Sequence, residues 1–307
     1  MGKKHHYKHA AALFKRPLAL CTPVPSRYSW PMRFKFVKMH GLGNDFVIIE
    51  PEAGQPVPDP ETLSKLANRR TGIGFDQVLI LEPPRQDGSD IYYRIFNADG
   101  DEVEQCGNGA RCIASLLAER QKSRSGELVM DSPGGLVRAK IRENGVVSLN
   151  MGVPDFAPAS LPFTTSGEAY IYPLSVAGSE VEIGAVSIGN PHAVMTVASV
   201  DTAPVDRLGP ALETHPDFPR RTNVGFMEIK APDHIRLRVY ERGTGETRAC
   251  GTGACAAVAI GRKHGKLGES VRVTLPGGNL QVDWAGPGEP IWLTGPAEKV
   301  YEGTFEL

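Results

Sequence analysis

Two cysteines in the sequence each stand directly before a glycine-x-glycine-alanine segment. Cys106 opens CGNGA and Cys250 opens CGTGA, and both segments lead into helix-like stretches that are rich in small residues. The free N–H groups at the start of a helix carry partial positive charge and bind anions such as a carboxylate. They also lower the pKa of a thiol at that position. The pattern therefore predicts an anion-binding loop and a reactive thiol in two places.

Two thiols that face each other across one bound molecule suit the inversion of a carbon centre. A thiolate on one side removes the α-proton of an amino acid, and a thiol on the other side returns a proton to the opposite face. General acid–base catalysis of this kind contributes on the order of 10²–10⁴-fold, and backbone N–H groups stabilise the developing charge. We predict Cys106 and Cys250 as the catalytic pair. The backbone of four neighbours is expected to hold the reacting carboxylate: Gly107, Asn108, Gly251 and Thr252.

The cysteine segments belong to an internal repeat. RIFNADGDEVEQCGNGA and RVYERGTGETRACGTGA align without a gap and lie 144 positions apart. Further upstream, Asn44 and Gln77 correspond to Asn190 and Asn223, both at an offset of 146. Matches that keep their order and spacing indicate that one unit occurs twice.

Each copy has strand-like segments before its cysteine and a helix-like segment after it. The strand-like segments are 33–40, 45–50, 77–83 and 90–96 in the first copy, and 182–189, 192–198, 224–229 and 235–241 in the second; the helix-like segments are 110–122 and 254–265. The sequence predicts an α+β fold of two pseudo-symmetric halves, each a curved mixed or antiparallel sheet wrapped around a central helix. Residues 32–150 and 151–295 are the predicted halves. Residues 1–31, basic and free of acidic side chains, are predicted to be a disordered extension, with an organellar transit segment as the alternative.

Composition excludes several classes of protein. A formal net charge of −1 over 307 residues lacks the basic surface of a nucleic-acid binder, and no apolar run reaches the roughly 18 residues of a membrane span. The 5 cysteines are an odd number and include no CxxC or zinc-type spacing, so we expect reduced thiols and no metal. A cytoplasmic enzyme with a small-molecule substrate fits this composition. The arginine pairs at 69–70 and 220–221 are expected to be solvated surface.

The differences between the copies predict a second binding region. Where the first copy has Asn97, the second has Glu241 followed by Arg242. Glu241 can accept hydrogen bonds from an ammonium group, and Arg242 can hold a carboxylate with two parallel hydrogen bonds. These residues suit a substrate with a zwitterion at each end. Five amides at matched or neighbouring positions are expected to complete the site: Asn44, Gln77, Asn97, Asn190 and Asn223.

The motifs together resemble those of one known family. HGLGNDF, GFDQ, FNADG, CGNGARC, GNPH, TNVGF, YERG and ACGTG follow one another within residues 32–307 and resemble diaminopimelate epimerases. The resemblance implies a homodimeric epimerase without pyridoxal phosphate, which interconverts LL- and meso-2,6-diaminopimelate for lysine and peptidoglycan synthesis. It also implies that residues 296–307 return to the first half. By the same resemblance, His192 and Glu241 each lie near a catalytic thiol and adjust its protonation.

Three other interpretations share parts of this pattern. A proline or hydroxyproline racemase of the same fold would use two thiols but would need no distal site, so Glu241 and Arg242 discriminate against it. A non-catalytic amino-acid-binding protein would need no thiols at the carboxylate site. A redox switch would close Cys106 and Cys250 into a disulfide, which could coexist with catalysis as reversible inactivation.

Overall fold

The computed structural model describes residues 32–103, 106–120, 126–142, 146–165 and 167–307. The extension predicted for residues 1–31 lies outside the described residues. The first half contains β1 (Arg33–Gly41), β2 (Asn44–Ile49), α1 (Pro60–Ala67), β3 (Gln77–Glu82), β4 (Ile91–Asn97), β5 (Glu102–Val103), α2 (Gly107–Arg120), β6 (Glu127–Ser132), β7 (Gly135–Ile141) and β8 (Val147–Asn150). The second contains β9 (Tyr172–Val176), β10 (Ser179–Ser187), β11 (Pro191–Thr196), α3 (Val205–Glu213), β12 (Asn223–Ala231), β13 (His234–Glu241), β14 (Gly245–Thr247), α4 (Gly251–Lys263), β15 (Ser270–Leu275), β16 (Gly278–Trp284) and β17 (Ile291–Gly295), and β18 (Glu298–Glu306) follows.

The two halves repeat one order of strand pairing. In the first half β2 runs parallel to β3, β3 pairs antiparallel with β4, and β4 runs parallel to β6. In the second half β11, β12, β13 and β15 are related in the same way. The register also repeats, because Phe46 lies opposite Gln77 and His192 lies opposite Asn223. The predicted duplication is therefore confirmed as a duplication of the fold.

The last strand pairs with the first strand. β18 pairs antiparallel with β1 from Arg33 opposite Glu306 to His40 opposite Glu298. β9 pairs antiparallel with β10 in the second half and so holds the equivalent edge position. β8 and β17 pair antiparallel and join the sheets of the two halves.

Each half wraps its strands around one helix. The buried residues of α2 and α4 are mostly small or aliphatic, and α4 is buried on every face from Gly253 to Gly261. Alanine, glycine and cysteine leave room for strands to approach a helix from all sides. The outer faces of the sheets carry separate apolar clusters under α1 and α3. Both central helices begin directly after their cysteines, three residues earlier than predicted. Among the described residues, no helix is both long and apolar enough to cross a membrane.

Candidate active site

Cys106 and Cys250 lie at the starts of the two central helices. The Ala110 N–H donates to the Cys106 carbonyl at 2.9 Å, and the Ala254 N–H donates to the Cys250 carbonyl at 3.0 Å. Each cysteine thus closes the first turn of its helix in the same way. Both thiols line one cavity of about 890 Å³ between the halves. The fold brings the two thiols to a single site.

Most of the other predicted site residues line the same cavity. Those that do are Asn44, Gln77, Asn97, Gly107, Asn108, Asn190, Glu241, Gly251 and Thr252. Three predicted residues are not part of the lining in the described structure: His192, Asn223 and Arg242. The cavity is built from both halves, which follows from the repeated placement of these residues at strand ends and helix starts.

A chain of hydrogen bonds fixes the amides beside Cys106. Asn108 Nδ2 donates to Asn44 Oδ1 at 3.1 Å, and Asn44 Nδ2 donates to Asp76 Oδ2 at 3.0 Å. Asn44 Oδ1 also lies 3.9 Å from Cys106 Sγ, where it can accept from the S–H group. The first thiol therefore faces a hydrogen-bond acceptor whose orientation is set by its neighbours.

Gln77 and Asn97 form a second amide pair on the first-half wall. Gln77 Nε2 donates to Asn97 Oδ1 at 2.8 Å, across the antiparallel pairing of β3 and β4. Gln77 Oε1 is buried and has no hydrogen-bond partner in the described structure. A buried acceptor without a partner is costly, so this oxygen is available to a ligand that donates, such as an ammonium group.

The second half surrounds its thiol with different groups. Thr252 Oγ1 lies 3.6 Å from Cys250 Sγ, and Asn190 Nδ2 donates to Thr252 Oγ1 at 3.4 Å. Thr252 thus occupies the position that Asn108 has in the first half. Because Asn190 donates to this hydroxyl oxygen, the Thr252 proton is free to point at the Cys250 sulfur.

His192 is a buried neutral residue. Its Nε2 lies 3.0 Å from Asn190 Oδ1, its Nδ1 has no partner among the described residues, and the side chain is 0% exposed. Burial, with a smaller effect of the Arg242 charge, lowers the pKa of His192 to about 3. No hydrogen bond joins His192 to either thiol in the described structure. Its hydrogen bond reaches the site through Asn190, and a role for His192 in thiol protonation stays a prediction.

Burial outweighs the helix starts in setting the thiol pKa values. Burial raises the pKa of Cys106, while the Gly109 and Asn108 N–H groups lower it by less. Burial also raises the pKa of Cys250 well above its ordinary value, and the nearby Glu241 carboxylate raises it further. The expectation that helix N-termini make these thiols acidic is wrong for this structure, because desolvation of the thiolate is the larger effect.

Glu241 links the two thiols electrostatically. Its carboxylate raises the pKa of both Cys106 and Cys250. Burial raises the pKa of Glu241 itself, and hydrogen bonds from Thr247 and Cys250 oppose that shift. A buried carboxylate with a raised pKa next to a thiol is suited to exchange a proton with it.

Arg242 and Asn223 are joined outside the cavity. Asn223 Oδ1 accepts from the Arg242 backbone N–H at 3.0 Å, and Asn223 Nδ2 donates to the Pro191 carbonyl at 2.9 Å. The Arg242 guanidinium is exposed and donates to the Arg220 carbonyl at 3.4 Å. Asn223 therefore holds backbone in place, and the Arg242 side chain is weakly held.

Some residues of the cavity were not predicted. Arg69, expected on the solvated surface, pairs with Asp45 at 2.6 Å and with Asp76 at 2.7 Å, and it lines the cavity. Asp76 holds Asn44, and its place in the GFDQ motif was a usable signal. Arg248 also lines the cavity, and its position two residues before the second cysteine was the corresponding signal. Long-range ion pairs such as Arg69 with Asp45 leave no periodic trace in a sequence.

The described residues contain no cluster of three or more His, Cys, Asp or Glu side chains that could hold a metal ion. Cys106, Cys112, Cys250 and Cys255 are free thiols. A disulfide between Cys106 and Cys250 stays a hypothesis. The arrangement can hold a carboxylate at two helix starts and exchange protons on two sides of it.

Comparison with known proteins identifies similar proteins along most of the chain. A family model for diaminopimelate epimerase matches residues 36–157 and 184–300. The diaminopimelate epimerase of Nitrosomonas europaea is 52% identical over 276 residues, which cover 90% of this chain and 100% of that protein. The diaminopimelate epimerase of Alkalilimnicola ehrlichii is 53% identical over 279 residues, with coverage of 90% and 100%.

Solved structures of more distant proteins share the fold. A hydroxyproline epimerase from Agrobacterium vitis has a TM-score of 0.65 and 19% sequence identity, covering 91% of this chain and 94% of that chain. A phenazine biosynthesis protein of the PhzF family from Bacillus anthracis has a TM-score of 0.63 and 18% identity, with coverage of 89% and 99%. At this level of identity the similarity shows the architecture alone.

Proposed function

The chain belongs to the diaminopimelate epimerase family, and on that premise we propose that it interconverts LL- and meso-2,6-diaminopimelate without a cofactor. One observation carries the proposal: Cys106 and Cys250, each directly before a central helix, line one cavity. Two proton-transferring groups on opposite sides of one carbon are what inversion requires. The repeated placement of the thiols in the two halves supports this arrangement.

The reacting carboxylate binds at the two helix starts. The backbone N–H groups of Gly107, Asn108, Gly251 and Thr252 lie in the first turns of α2 and α4, where they have no intrahelical partners. Their positive ends stabilise the charge that moves onto the carboxylate when the α-proton leaves. Binding there places the α-carbon between the thiols.

Inversion then takes two proton transfers. The thiolate of one cysteine takes the α-proton, so that the C–H bond breaks and an S–H bond forms, and the electron pair left on the α-carbon is delocalised into the carboxylate. The thiol of the other cysteine gives its proton to the opposite face of that carbon and becomes a thiolate. After the reaction, the two cysteines have exchanged their protonation states, so the same two groups can catalyse the reverse reaction.

Glu241 and His192 adjust this chemistry in different ways. Glu241 exchanges a proton with Cys250. Burial raises the pKa of the Glu241 carboxyl group, so this group can accept a proton from the thiol and return it. His192 stays neutral and fixes Asn190, which in turn bonds to Thr252 beside Cys250. The first role is acid–base and the second is positional.

The distal end of the substrate is held by Glu241, in addition to its exchange with Cys250, and by the remaining polar residues. Gln77 Oε1 and the Glu241 carboxylate accept from ammonium groups, and Asn97, Asn190 and Asn44 complete the wall of the cavity. Arg242 binds the distal carboxylate by turning its weakly held side chain from the Arg220 carbonyl toward the cavity. Asn223 keeps the Arg242 backbone in place for that movement.

Incubation with LL-diaminopimelate in D₂O tests the activity. The expected result is meso product that carries one deuterium at the inverted α-carbon. The rate of deuterium incorporation should equal the rate of meso product formation. L-Proline and trans-4-hydroxy-L-proline are tested as alternative substrates in separate, parallel incubations. Turnover of either of these without turnover of diaminopimelate would contradict the proposal and favour a racemase of the same fold.

We also propose that the enzyme works as a homodimer in the cytoplasm. A reducing compartment keeps Cys106 and Cys250 as the thiols that the reaction needs. Light scattering coupled to size-exclusion chromatography measures the mass in solution. A mass of twice 33.1 kDa is expected, and a single-chain mass would contradict the dimer.

A further inference from the structure

Arg111 is a buried cation next to the candidate site. It lies in α2, five residues after Cys106, and its side chain is 0% exposed. No carboxylate pairs with it in the described structure, and its Nη1 has no hydrogen-bond partner there. A buried charge without a counter-ion is normally costly to a fold. Its presence requires a role that offsets this cost.

The guanidinium is held by two hydrogen bonds and enclosed by glycines from both halves. Arg111 Nη2 donates to Asn108 Oδ1 at 2.7 Å, and Nε donates to the Pro296 carbonyl at 3.4 Å. A Cβ atom on Gly41 would lie 3.2 Å from Nη2, and one on Gly295 would lie 3.3 Å from Nε. The two glycines therefore leave the space that the planar group occupies.

The bond to Asn108 determines the direction of the whole amide chain. Arg111 can only donate, so Asn108 must present its oxygen to Arg111 and its Nδ2 to Asn44. At the other end, the Asp76 carboxylate can only accept, so Asn44 presents its Nδ2 there. With a pure donor at one end and a pure acceptor at the other, both amides have one allowed orientation.

We propose that Arg111 is a positioning residue, which fixes the Asn108 and Asn44 carboxamides and so sets the hydrogen-bonding group that faces Cys106. The inference rests on the proposed epimerisation for its kinetic consequence. Asn108 Nδ2 also donates to the Ala249 carbonyl at 3.5 Å, so the same anchor reaches the segment before Cys250. The charge of Arg111 also favours the Cys106 thiolate, since it opposes the increase in thiol pKa.

The second half shows why the first half needs such an anchor. The positions equivalent to Asn108 and Arg111 are Thr252 and Cys255. A threonine hydroxyl can rotate to donate or accept, whereas a carboxamide presents different atoms on its two sides and must be held against a flip. The cation therefore occurs in the half whose helix start carries an amide.

Three variants test the proposal: Arg111→Met, Arg111→Lys and, as a matched control, Arg138→Met. Arg138 is exposed on β7, so the control makes the same chemical change away from the site. The measurements are thermal unfolding, kcat and KM with LL-diaminopimelate, and the rate of iodoacetamide alkylation at each cysteine from neutral to alkaline pH. Mass spectrometry of peptides separates Cys106 from Cys250.

The expected result separates stability from positioning. Arg111→Met should unfold at or above the parent temperature, because a buried unpaired charge has been removed. Its kcat should fall roughly 100-fold with KM little changed, the size of effect that misplaced groups produce. Alkylation of Cys106 should move to higher pH because the Arg111 charge that favours its thiolate is lost, while alkylation of Cys250 stays as in the parent. Arg111→Lys keeps the charge but not the planar guanidinium that holds Asn108, so it should restore the Cys106 alkylation profile and leave kcat low.

Two results would overturn the proposal. One is an Arg111→Met enzyme with parental kcat and a parental pH profile for Cys106 alkylation. The other is an equal change at both cysteines together with a lower unfolding temperature, which would mean a general structural role. If the parent enzyme fails to epimerise diaminopimelate, the proposed function fails, but the alkylation profiles still decide the role of Arg111.

Discussion

The Asn108 carboxamide on α2 lies 3.5 Å from the carbonyl of Ala249, the residue directly before Cys250. This long hydrogen bond joins the start of one central helix to the start of the other. It connects the two thiol-bearing segments directly, in addition to the pairing of β8 with β17. The distance between the two thiols therefore depends on how these contacts hold the two halves together.

Removing either thiol should abolish epimerisation. Cys106→Ala and Cys250→Ala each leave one side of the substrate carbon without a proton-transferring group, so we expect kcat to fall on the order of 10⁴-fold. The measurement is meso product formation from LL-diaminopimelate. Cys112→Ala is the matched control, because Cys112 is buried within α2 and has no part in the proposed mechanism. A single mutant at either catalytic position that retained parental turnover would exclude the two-thiol mechanism.

Activity should increase with pH while stability decreases. Burial raises the pKa of Cys106 and Cys250 above the ordinary value of 9.0, so the thiolate is scarce at neutral pH and increases toward alkaline pH. The folded state keeps these protons longer than the unfolded state does. The protonated thiols stabilise the folded protein fully at pH values below their pKa in the unfolded chain. This stabilisation is lost as the pH rises through their higher pKa in the folded protein. Profiles of kcat/KM and of urea unfolding between pH 7 and about 10 check both trends; a fall in kcat/KM across the lower part of this range would contradict the first.

Arg242→Ala should impair binding of the two-headed substrate. Removing one guanidinium–carboxylate pair from a bound complex costs roughly 3 kcal/mol, or about 100-fold. We expect most of this effect in KM for LL-diaminopimelate, measured by initial rates. Arg70→Ala is the control, since Arg70 is exposed and is outside the cavity lining. Equal kinetics for the two variants would remove Arg242 from the distal site.

Asp45 should be important for stability. It pairs with the buried Lys38 at 2.6 Å and with Arg69 at 2.6 Å. Burial alone would raise the pKa of Asp45, but hydrogen bonds and charge from Arg69 and Lys38 lower it overall. Its contribution is therefore present above its ordinary pKa of 3.8 and is lost as pH falls below that value.

Asp45→Asn should leave Lys38 buried without a counter-charge. Urea unfolding at neutral pH should show a loss of roughly 3 kcal/mol. Glu306→Gln removes a partner from the exposed pair with Arg33 and should cost less than about 1 kcal/mol. Adding Lys38→Met to Asp45→Asn should restore much of the stability. A double variant no more stable than Asp45→Asn alone would show that the unpaired charge is not the cause.

The two-half architecture could be predicted from the sequence because the internal repeat shows that one folding unit occurs twice. Equal offsets for Asn44 and Asn190, and for Gln77 and Asn223, required the same register between the parallel strands of each half, and the structure has it. The starts of the central helices were displaced, because the glycine-containing residues after each cysteine have low helix propensity and gain their conformation from tertiary packing.

Properties that depend on burial could not be predicted in the same way. Arg111 has the chemistry of a surface helix residue, and nothing near it in the sequence shows that Gly41 and Gly295 enclose it. The pKa of His192 is low for a similar reason, since desolvation arises from strands distant in sequence. The raised pKa values of the thiols could not be predicted from the motif, because burial outweighs the N–H groups of the helix start.

The pairing of β18 with β1 has a consequence for synthesis on the ribosome. The edge of β1 that β18 covers stays open while the whole second half is being made, and Met32 and Leu307 meet through backbone hydrogen bonds of 3.0 and 2.9 Å only afterwards. The nascent first half thus exposes an unpaired strand to neighbouring chains for most of translation. Native closure of this half can be completed only after the final strand has emerged from the exit tunnel.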